Sequence, residues 1–343
     1  MPHQAPDQMN AMQATAFSID ALQMVQVPRP RAKPGEIVLK VSAASLNYRD
    51  LSIVTGAYFP DLALPYVPAS DCVGTVVELG EGVTRFALGD RVIPCYIQGW
   101  RDGLLTQEQR KTKTLGAPMT GVLQDYVAVP AEDAVAAPAG LSDEEAATMP
   151  IAALTAWHCL QTGGVAAGKT VLTQGTGGVA LFALQFAKAL GARVVALTST
   201  PEKAEMLRGL GADHVVNYRE TPNWAAAVRA ATDGKGVEIV VETTGHTLSQ
   251  SLDACAFNGF VGIIGFVGGT EAKVSIRQII GPKIRMEGIV VGSRAMMETM
   301  MQAMEALGIR PIIAGRYPLA QAAEAFRALK AAENPGKIII NLG

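Results

Sequence analysis

Cysteine and histidine are scarce: the 343-residue chain carries four of each, widely scattered. Cys72, Cys95, Cys159 and Cys255 form no CxxC pair, which excludes a clustered-thiolate zinc site and leaves small buried thiols as their expected role. His3, His158, His214 and His246 show no ligand spacing, so no metal is expected. Charge is equally thin. With 17% charged residues, a net charge of −2 and no basic clustering, neither nucleic acid nor an anionic membrane surface is an expected partner. No apolar run is long enough to cross a bilayer. The opening MPHQAPDQMNAMQATAF has neither the charged start nor the apolar core of a secretory leader. A cytoplasmic location is therefore expected, with the residues before Met12 as a loose tail.

What is abundant is apolar and turn-forming, with 49% hydrophobic residues, 35 glycines and 19 prolines. At this length such a chain is expected to bury two cores, hence two domains. Its most informative stretch is 170–200, TVLTQGTGGVALFALQFAKALGARVVALTST. A β-favouring run stops at Gly175-Thr176-Gly177-Gly178. From Val179 the apolar residues take helical spacing, Gly191 closes the helix, and residues 194–197 read as a second buried strand. This is half of a βαβ unit with glycines at its first turn. Bare N–H groups at Gly177 and Gly178, at the start of a helix, attract a pyrophosphate that a side chain there would hold away. Gly175-x-Gly177-x-x-Ala180 fits the dinucleotide pattern; an ordinary tight turn is the alternative.

About twenty residues on, where an acidic residue would hold the ribose of NAD, the chain has Thr198-Ser199-Thr200 and then Lys203. A hydroxyl and an ammonium suit a 2′-phosphate, so NADP (NADPH) is the expected cofactor, with Ser199 and Lys203 at the phosphate. Alternatively Ser199 caps the helix beginning near Pro201 and Lys203 is solvated.

Residues 12–138 are strand-rich, with strands expected at 36–41, 73–78, 91–94 and 121–129, and with Gly74 and Gly80 placed for close strand packing. The polar, aperiodic stretch 98–120 reads as a lid or as irregular surface. After Pro138 strands and helices alternate: helices at 204–210, 224–231 and 248–256, strands at 215–216, 237–241, 260–266 and 283–291. With the central unit these make a six-stranded doubly wound sheet, whose ligand lies across the carboxyl ends of its strands. The loops Thr243-Thr244-Gly245, Gly265-Phe266-Val267-Gly268 and Val291-Gly292-Ser293 are expected to face it, or are plain strand-end turns. A methionine-rich helix around Met300 and Met304, a helix at 318–330 and a strand at 337–341 are expected to pack back on the first domain.

Taken in order, Pro34-Gly35-Glu36, Asn47-Tyr48-Arg49-Asp50, Val76-Val77-Glu78-Leu79-Gly80, Gly89-Asp90-Arg91-Val92, Gly175-Thr176-Gly177-Gly178-Val179 and Gly336-Lys337-Ile338 resemble the medium-chain dehydrogenase/reductase superfamily. The nearest branch is the zinc-independent, quinone-reductase-like one, over residues 12–343. The resemblance implies an α/β fold: a doubly wound Rossmann NADP-binding domain at 138–297 and a mainly β GroES-like barrel catalytic domain at 1–137 and 298–343. It further implies a cofactor cleft at their junction and a homodimer through the sheet edge near residues 284 to 291, from Ile284 to Val291. Metal-dependent relatives place ligands at positions matching Asn47, Ser70-Asp71 and Ile151, and here Asn47, Ser70 and Ile151 offer neither thiolate nor imidazole. By the same resemblance Tyr58 lies in the substrate pocket and Ser52 replaces a second pocket tyrosine. Thr155 lies near the nicotinamide unless it caps a helical turn, Tyr218 sits beside the 2′-phosphate, and Asn341 approaches the cofactor.

Without a metal, a hydride needs an acceptor that is already electrophilic, and the protein must align the reactants and stabilise charge developing on oxygen. Asn47 is the expected positioner of cofactor and substrate, and Tyr48, ahead of Tyr58, the proton or hydrogen-bond donor. Both tyrosines are otherwise half-buried aromatics, and Arg49-Asp50 reads as a structural ion pair. The expected activity is NADPH-dependent reduction of a quinone or α,β-unsaturated carbonyl, a small-molecule electrophile. A metal-free ketone reductase or alcohol dehydrogenase and a non-catalytic NADPH-binding sensor are the alternatives.

Overall fold

The computed structural model describes residues 7–343, which divide into two compact units. The first runs to Ile151 and adds Ser293–Ala306 and Ile313–Gly343; the second is Ala152–Gly292 with Leu307–Ile312. The expected boundaries at 137/138 and 297/298 therefore fall inside the first unit. Side chains hold the extra residues there: Arg91 reaches Asp143 at 2.8 Å and the Leu141 carbonyl at 2.9 Å, and Arg294 reaches Glu132 at 2.8 Å.

The strands, in chain order, are β1 (Gln8–Ala14), β2 (Leu22–Pro28), β3 (Glu36–Leu46), β4 (Asp71–Leu79), β5 (Arg91–Pro94), β6 (Tyr126–Pro130), β7 (Ala134–Ala136), β8 (Thr170–Gln174), β9 (Arg193–Thr198), β10 (His214–Asn217), β11 (Val237–Glu242), β12 (Cys255–Ile263), β13 (Arg285–Gly288), β14 (Ile313–Pro318) and β15 (Lys337–Asn341).

In the first unit, β14-β15-β3-β4-β5-β7 form one sheet with β6 also on β3, and β1 and β2 form a hairpin. The tail does return, with β15 antiparallel to β3 so that Ile340 faces Ala44. The strand pattern was expected to begin at Met12, yet β1 starts at Gln8, because every residue from Gln8 to Ala14 pairs with β2. Gly74 is required: a Cβ there would stand 2.5 Å from the Lys40 carbonyl oxygen. Ile37, Leu39, Leu46, Leu123 and Phe326 fill the core. The stretch 98–120 is not wholly irregular, since Thr106 caps a helix at Gln107–Thr112. The expected helix at 318–330 is instead the end of β14 followed by a helix at Ala322–Ala331.

In the second unit the order β10-β9-β8-β11-β12-β13 is parallel throughout and reverses between β8 and β11, which is the doubly wound arrangement. All five residues of β8 are buried, as a strand covered on both faces must be. Helix Gly178–Ala189 buries Phe182 and Phe186, and Trp157 meets Phe186 edge-on at 5.2 Å. Each ring so buried contributes about 1.5–3 kcal/mol. β12 begins at Cys255, where helix was expected to continue, and Asn258 at φ 58° bends it before the expected start at 260. β13 is shorter than expected, and a helix at Ile276–Ile280 precedes it. Among the described residues no helix is long and apolar enough to cross a membrane.

Candidate functional site

In the second unit the turn after β8 takes the form its glycines dictate. Gly175 has φ +80°, a left-handed conformation that glycine adopts without strain, while Gly177 is the extended N-cap of the helix that Gly178 and Val179 begin. An ideal Cβ on Gly177 would meet nothing within 4 Å. The space over this helix N-terminus is thus open, and the residues fit a diphosphate approaching bare N–H groups.

At the end of β9 the helix cap is Thr200, whose hydroxyl accepts from the Lys203 N–H at 3.3 Å, and not Ser199. Ser199 is half-buried beside it, and the buried Thr198 hydroxyl has no hydrogen-bond partner. Tyr218 is 41% exposed just past β10, its N–H bonded to the Thr198 carbonyl at 2.9 Å. Capping therefore leaves the Ser199 hydroxyl to other partners.

The loop after β11 is organised by Glu242, a buried carboxylate with five donors: Gln174 Nε2 at 2.9 Å, the Ser251 hydroxyl, the N–H groups of Thr244 and Gly245 at 2.8 and 3.0 Å, and Thr244 Oγ1 at 2.7 Å. Thr244 is thus turned inward, and a cofactor here would meet its main chain. Gly265 leaves no room for a side chain, its Cβ falling 2.5 Å from the Thr243 carbonyl, whereas Phe266 and Val267 are exposed. Val291 adopts φ +35°, rare for a β-branched residue, and its carbonyl lies 2.7 Å from His158 Nδ1. Gly292 packs against Leu154, where a Cβ would fall 2.8 Å from Cγ. Ser293 belongs to the first unit, buried, and accepts from the Met296 N–H at 3.2 Å as a helix cap. Thr155 is buried inside helix Leu154–Gly163, whose N-cap is Ala153, so capping does not explain it.

In the first unit Asn47 stands between a buried carboxylate and a buried ammonium. Its Nδ2 donates to Asp71 at 2.8 Å, and its Oδ1 accepts from Lys337 Nζ, which also donates to the Leu46 carbonyl at 2.6 Å. The asparagine amide presents an N–H donor to one charge and a carbonyl acceptor to the other. Asp71 also accepts from the Ile151 N–H at 3.2 Å, while its Oδ1 is buried without a hydrogen-bond partner. Asp50 accepts from the Asn47 N–H at 2.8 Å and the Ser70 hydroxyl at 2.6 Å. Burial raises the pKa of Asp71 against the opposing charge of Lys337, and lowers that of Lys337 against Asp71 and Asp50. Asn341, expected near the cofactor, donates to Glu144 at 3.2 Å.

Tyr48 opens helix Tyr48–Val54 and is 39% exposed, whereas Ser52 donates back to the Tyr48 carbonyl at 3.0 Å. Tyr58 lies in a cluster of rings and cations: it meets Phe59 edge-on at 4.8 Å and accepts from Arg110 Nη2 at 2.6 Å. Arg49 is 3.9 Å from Asp50 but bonds more closely to Ser70, at 2.8 Å, and to the Leu115 carbonyl, at 3.2 Å, consistent with a structural role. Lys337, Arg110 and Glu242 escaped the sequence reading. Lys337 lay within a quoted motif, and the other two carried no local signal.

Residues 178–306 match the family model for a zinc-binding dehydrogenase, and residues 33–139 that for the alcohol dehydrogenase GroES-like domain. A zinc-type alcohol dehydrogenase-like protein of Schizosaccharomyces pombe is 40% identical over 92% of this chain and 93% of its own. An acryloyl-coenzyme A reductase of Metallosphaera sedula is 31% identical over 92% of this chain and 94% of its own. The crystal structure of a putative alcohol dehydrogenase from Sinorhizobium meliloti superposes with a TM-score of 0.92 at 38% identity, covering 99% of this chain and 100% of that one. Zinc needs thiolate, imidazole or carboxylate donors. The positions at which relatives place them hold an amide engaged on both sides, a hydroxyl bonded to Asp50, an aliphatic side chain and one carboxylate, Asp71, already tied to Asn47 and the Ile151 N–H, beside the Lys337 ammonium; one such donor beside a cation does not fit the ion. Among the described residues no group of three His, Cys, Asp or Glu side chains stands ready to hold a metal. Fold, turn and relatives agree: the chain belongs to the medium-chain dehydrogenase/reductase superfamily.

Proposed function

We propose that this oxidoreductase uses NADPH to reduce a quinone or an α,β-unsaturated carbonyl without a metal. The observation that carries the reading is the Asn47–Asp71–Lys337 set, in which an amide bridges two charges where metal-dependent relatives hold zinc. A simple ketone gains most from a strong electrophile on its oxygen, whereas a conjugated acceptor takes hydride at its β-carbon, spreads the charge over an enolate and is served by hydrogen bonds to its oxygen. The acryloyl-coenzyme A reductase among its relatives is named for such a conjugated acceptor.

The N–H groups of Gly177, Gly178 and Val179 hold the diphosphate, and Ser199, Lys203 and Tyr218 surround the 2′-phosphate. Main-chain groups of Thr244, Gly265, Phe266, Val267, Val291 and Gly292, with the Thr155 side chain, flank the nicotinamide half. When bound there, the reduced nicotinamide supplies the hydride. Tyr58 and Tyr48 donate hydrogen bonds to the acceptor oxygen, and Asn47, fixed between Asp71 and Lys337, holds the start of helix Tyr48–Val54 that carries Tyr48. Two copies associate through the edge strand β13.

The test is NADPH absorbance against a panel of an enone, a quinone and a simple ketone, run with and without a chelator. Consumption with the conjugated acceptors, indifferent to chelation, is expected. Ketone turnover alone would move the assignment to a metal-free ketone reductase or alcohol dehydrogenase; the 40%-identical relative is named for alcohol dehydrogenase-like chemistry, of the zinc type. NADPH binding with no turnover would leave a sensor.

A further inference from the structure

We infer that Arg110 and Tyr58 form a two-donor seat for the oxygen of a planar conjugated oxyanion, and that Arg110 thereby selects the ligands this unit accepts. The Arg110 guanidinium is half-buried and donates to Tyr58 Oη at 2.6 Å. Burial acts against its charge, and the groups that favour it, and prevail, are the phenols of Tyr96 and Tyr58. No carboxylate lies within ion-pair distance of Arg110 among the described residues, whereas Arg91 and Arg294 of the same unit meet Asp143 and Glu132 at 2.6 and 2.8 Å. A guanidinium that is half-buried, bonded to one phenol and paired with no carboxylate keeps further N–H donors of its fork for an oxyanion.

The surroundings narrow the class of anion. Arg49 lies 4.9 Å from the Tyr96 ring centre, 5.7 Å from that of Phe59 and 6.0 Å from that of Tyr58, so cations and aromatic faces alternate around one spot. Arg49 covers the face of the buried Tyr96, and the half-buried rings of Tyr58 and Phe59 give this spot an apolar wall that suits a flat conjugated ligand better than a compact anion such as phosphate. A phenol whose oxygen accepts from a guanidinium also donates its own proton more strongly, because the cation stabilises the charge left behind. The inference rests on the reading above. Hydride addition to the β-carbon of a conjugated carbonyl forms a C–H bond with the two electrons of the reduced dinucleotide, breaks the C=C π bond and leaves the negative charge on oxygen until a proton arrives. That enolate oxygen is the ligand of the seat.

The probe is para-nitrophenolate, a planar oxyanion whose absorbance distinguishes it from its neutral phenol, titrated into the full cofactor-free chain. Wild type is expected to bind the anion in preference to the phenol and to shift the probe's ionisation to lower pH. Arg110→Gln is expected to lose roughly tenfold or more in affinity, and Arg110→Lys, which keeps the charge without the fork, to recover part of it. Equal binding by wild type and Arg110→Gln overturns the seat, as does a wild type that binds no anion or shows no preference for it. If Arg110→Gln melts early, wild type against a normally melting Arg110→Lys decides, and equal affinity there overturns the fork. NADPH consumption with an enone alongside Arg110-independent probe binding defeats the seat and spares the activity. Arg110-dependent binding without consumption does the reverse.

Discussion

Lys337 is the counter-charge of two carboxylates that lie almost wholly out of water, Asp71 at 0% and Asp50 at 1% exposure. Replacing it by methionine preserves volume, leaves Asp71 without a counter-charge and leaves Asp50 with Arg49 alone, so Lys337→Met is expected to cost about 3–5 kcal/mol in denaturant unfolding. A change below about 1 kcal/mol would show that the ammonium is not what the carboxylates rely on. The same burial gives Asp71 a pH signature. Its pKa rises in the folded chain above the ordinary 3.8, so its contribution is fully present below 3.8 and is lost as pH rises through the folded value, because the unfolded chain releases the proton first. Melting temperature is expected to fall more steeply over that rise in wild type than in Asp71→Asn; parallel curves would contradict it. At the other site Lys203→Ala is expected to weaken NADPH binding roughly tenfold, about 1.4 kcal/mol, and to leave NADH binding nearly unchanged; equal losses in fluorescence titrations would remove the 2′-phosphate assignment. At this scale the sequence offers a reading where residues are local: Ser199 and Lys203 stand four positions apart beside the end of β9, which is what the expectation of a 2′-phosphate site rests on. It was silent where partners are remote, since nothing in residues 45–50 announces that Asn47 will meet Lys337 from the last strand, or Tyr58 an arginine from a polar stretch.

The glycine turn and the helix after it were readable because their physics is sequential: a strand period gives way to a helical one across glycines that only one backbone path requires. Two substitutions separate the two jobs those glycines do. Gly175→Ala is expected to destabilise by about 1–2 kcal/mol, since φ +80° strains any Cβ. Gly177→Ala meets open space in an extended conformation, so its stability is expected to stay within about 0.5 kcal/mol while dinucleotide affinity falls roughly tenfold or more. Thermal melts and NADPH titration on both variants check this, and a Gly177→Ala chain that binds normally would remove the turn from the cofactor site. Elements stabilised from outside their own sequence were the ones misread. β14 contains glycine and proline and owes its strand form to parallel pairing with β15, and β1 reaches back to Gln8 because β2 is there to pair with it. The Gln107–Thr112 helix rests on a Thr106 cap within a segment too polar to show a period.

The doubly wound sheet ends at β13, which pairs only with β12 among the described strands and so leaves one row of main-chain donors and acceptors unmatched. Around the start of that strand stand apolar side chains that folding of a single chain does not cover: Ile276 is 64% exposed, Ile280 72% and Phe257 67%. They are held beside the edge, since the Asn258 N–H bonds the Pro282 carbonyl at 2.9 Å just before β13. A second copy related by a two-fold axis normal to the sheet would bring β13 antiparallel to itself, pairing the open row and burying the isoleucines at once. Burial of each such side chain is worth about 1.5–3 kcal/mol, and in a two-fold interface every residue counts twice. Light scattering on the eluting protein is therefore expected to give the mass of two chains. The Ile276→Lys, Ile280→Lys double variant, which places four ammonium groups in that interface and touches no core residue, is expected to elute as one chain with an unchanged far-ultraviolet spectrum. A wild type that is a single chain at all concentrations, or a double variant that still pairs, would show that this edge is not where copies meet.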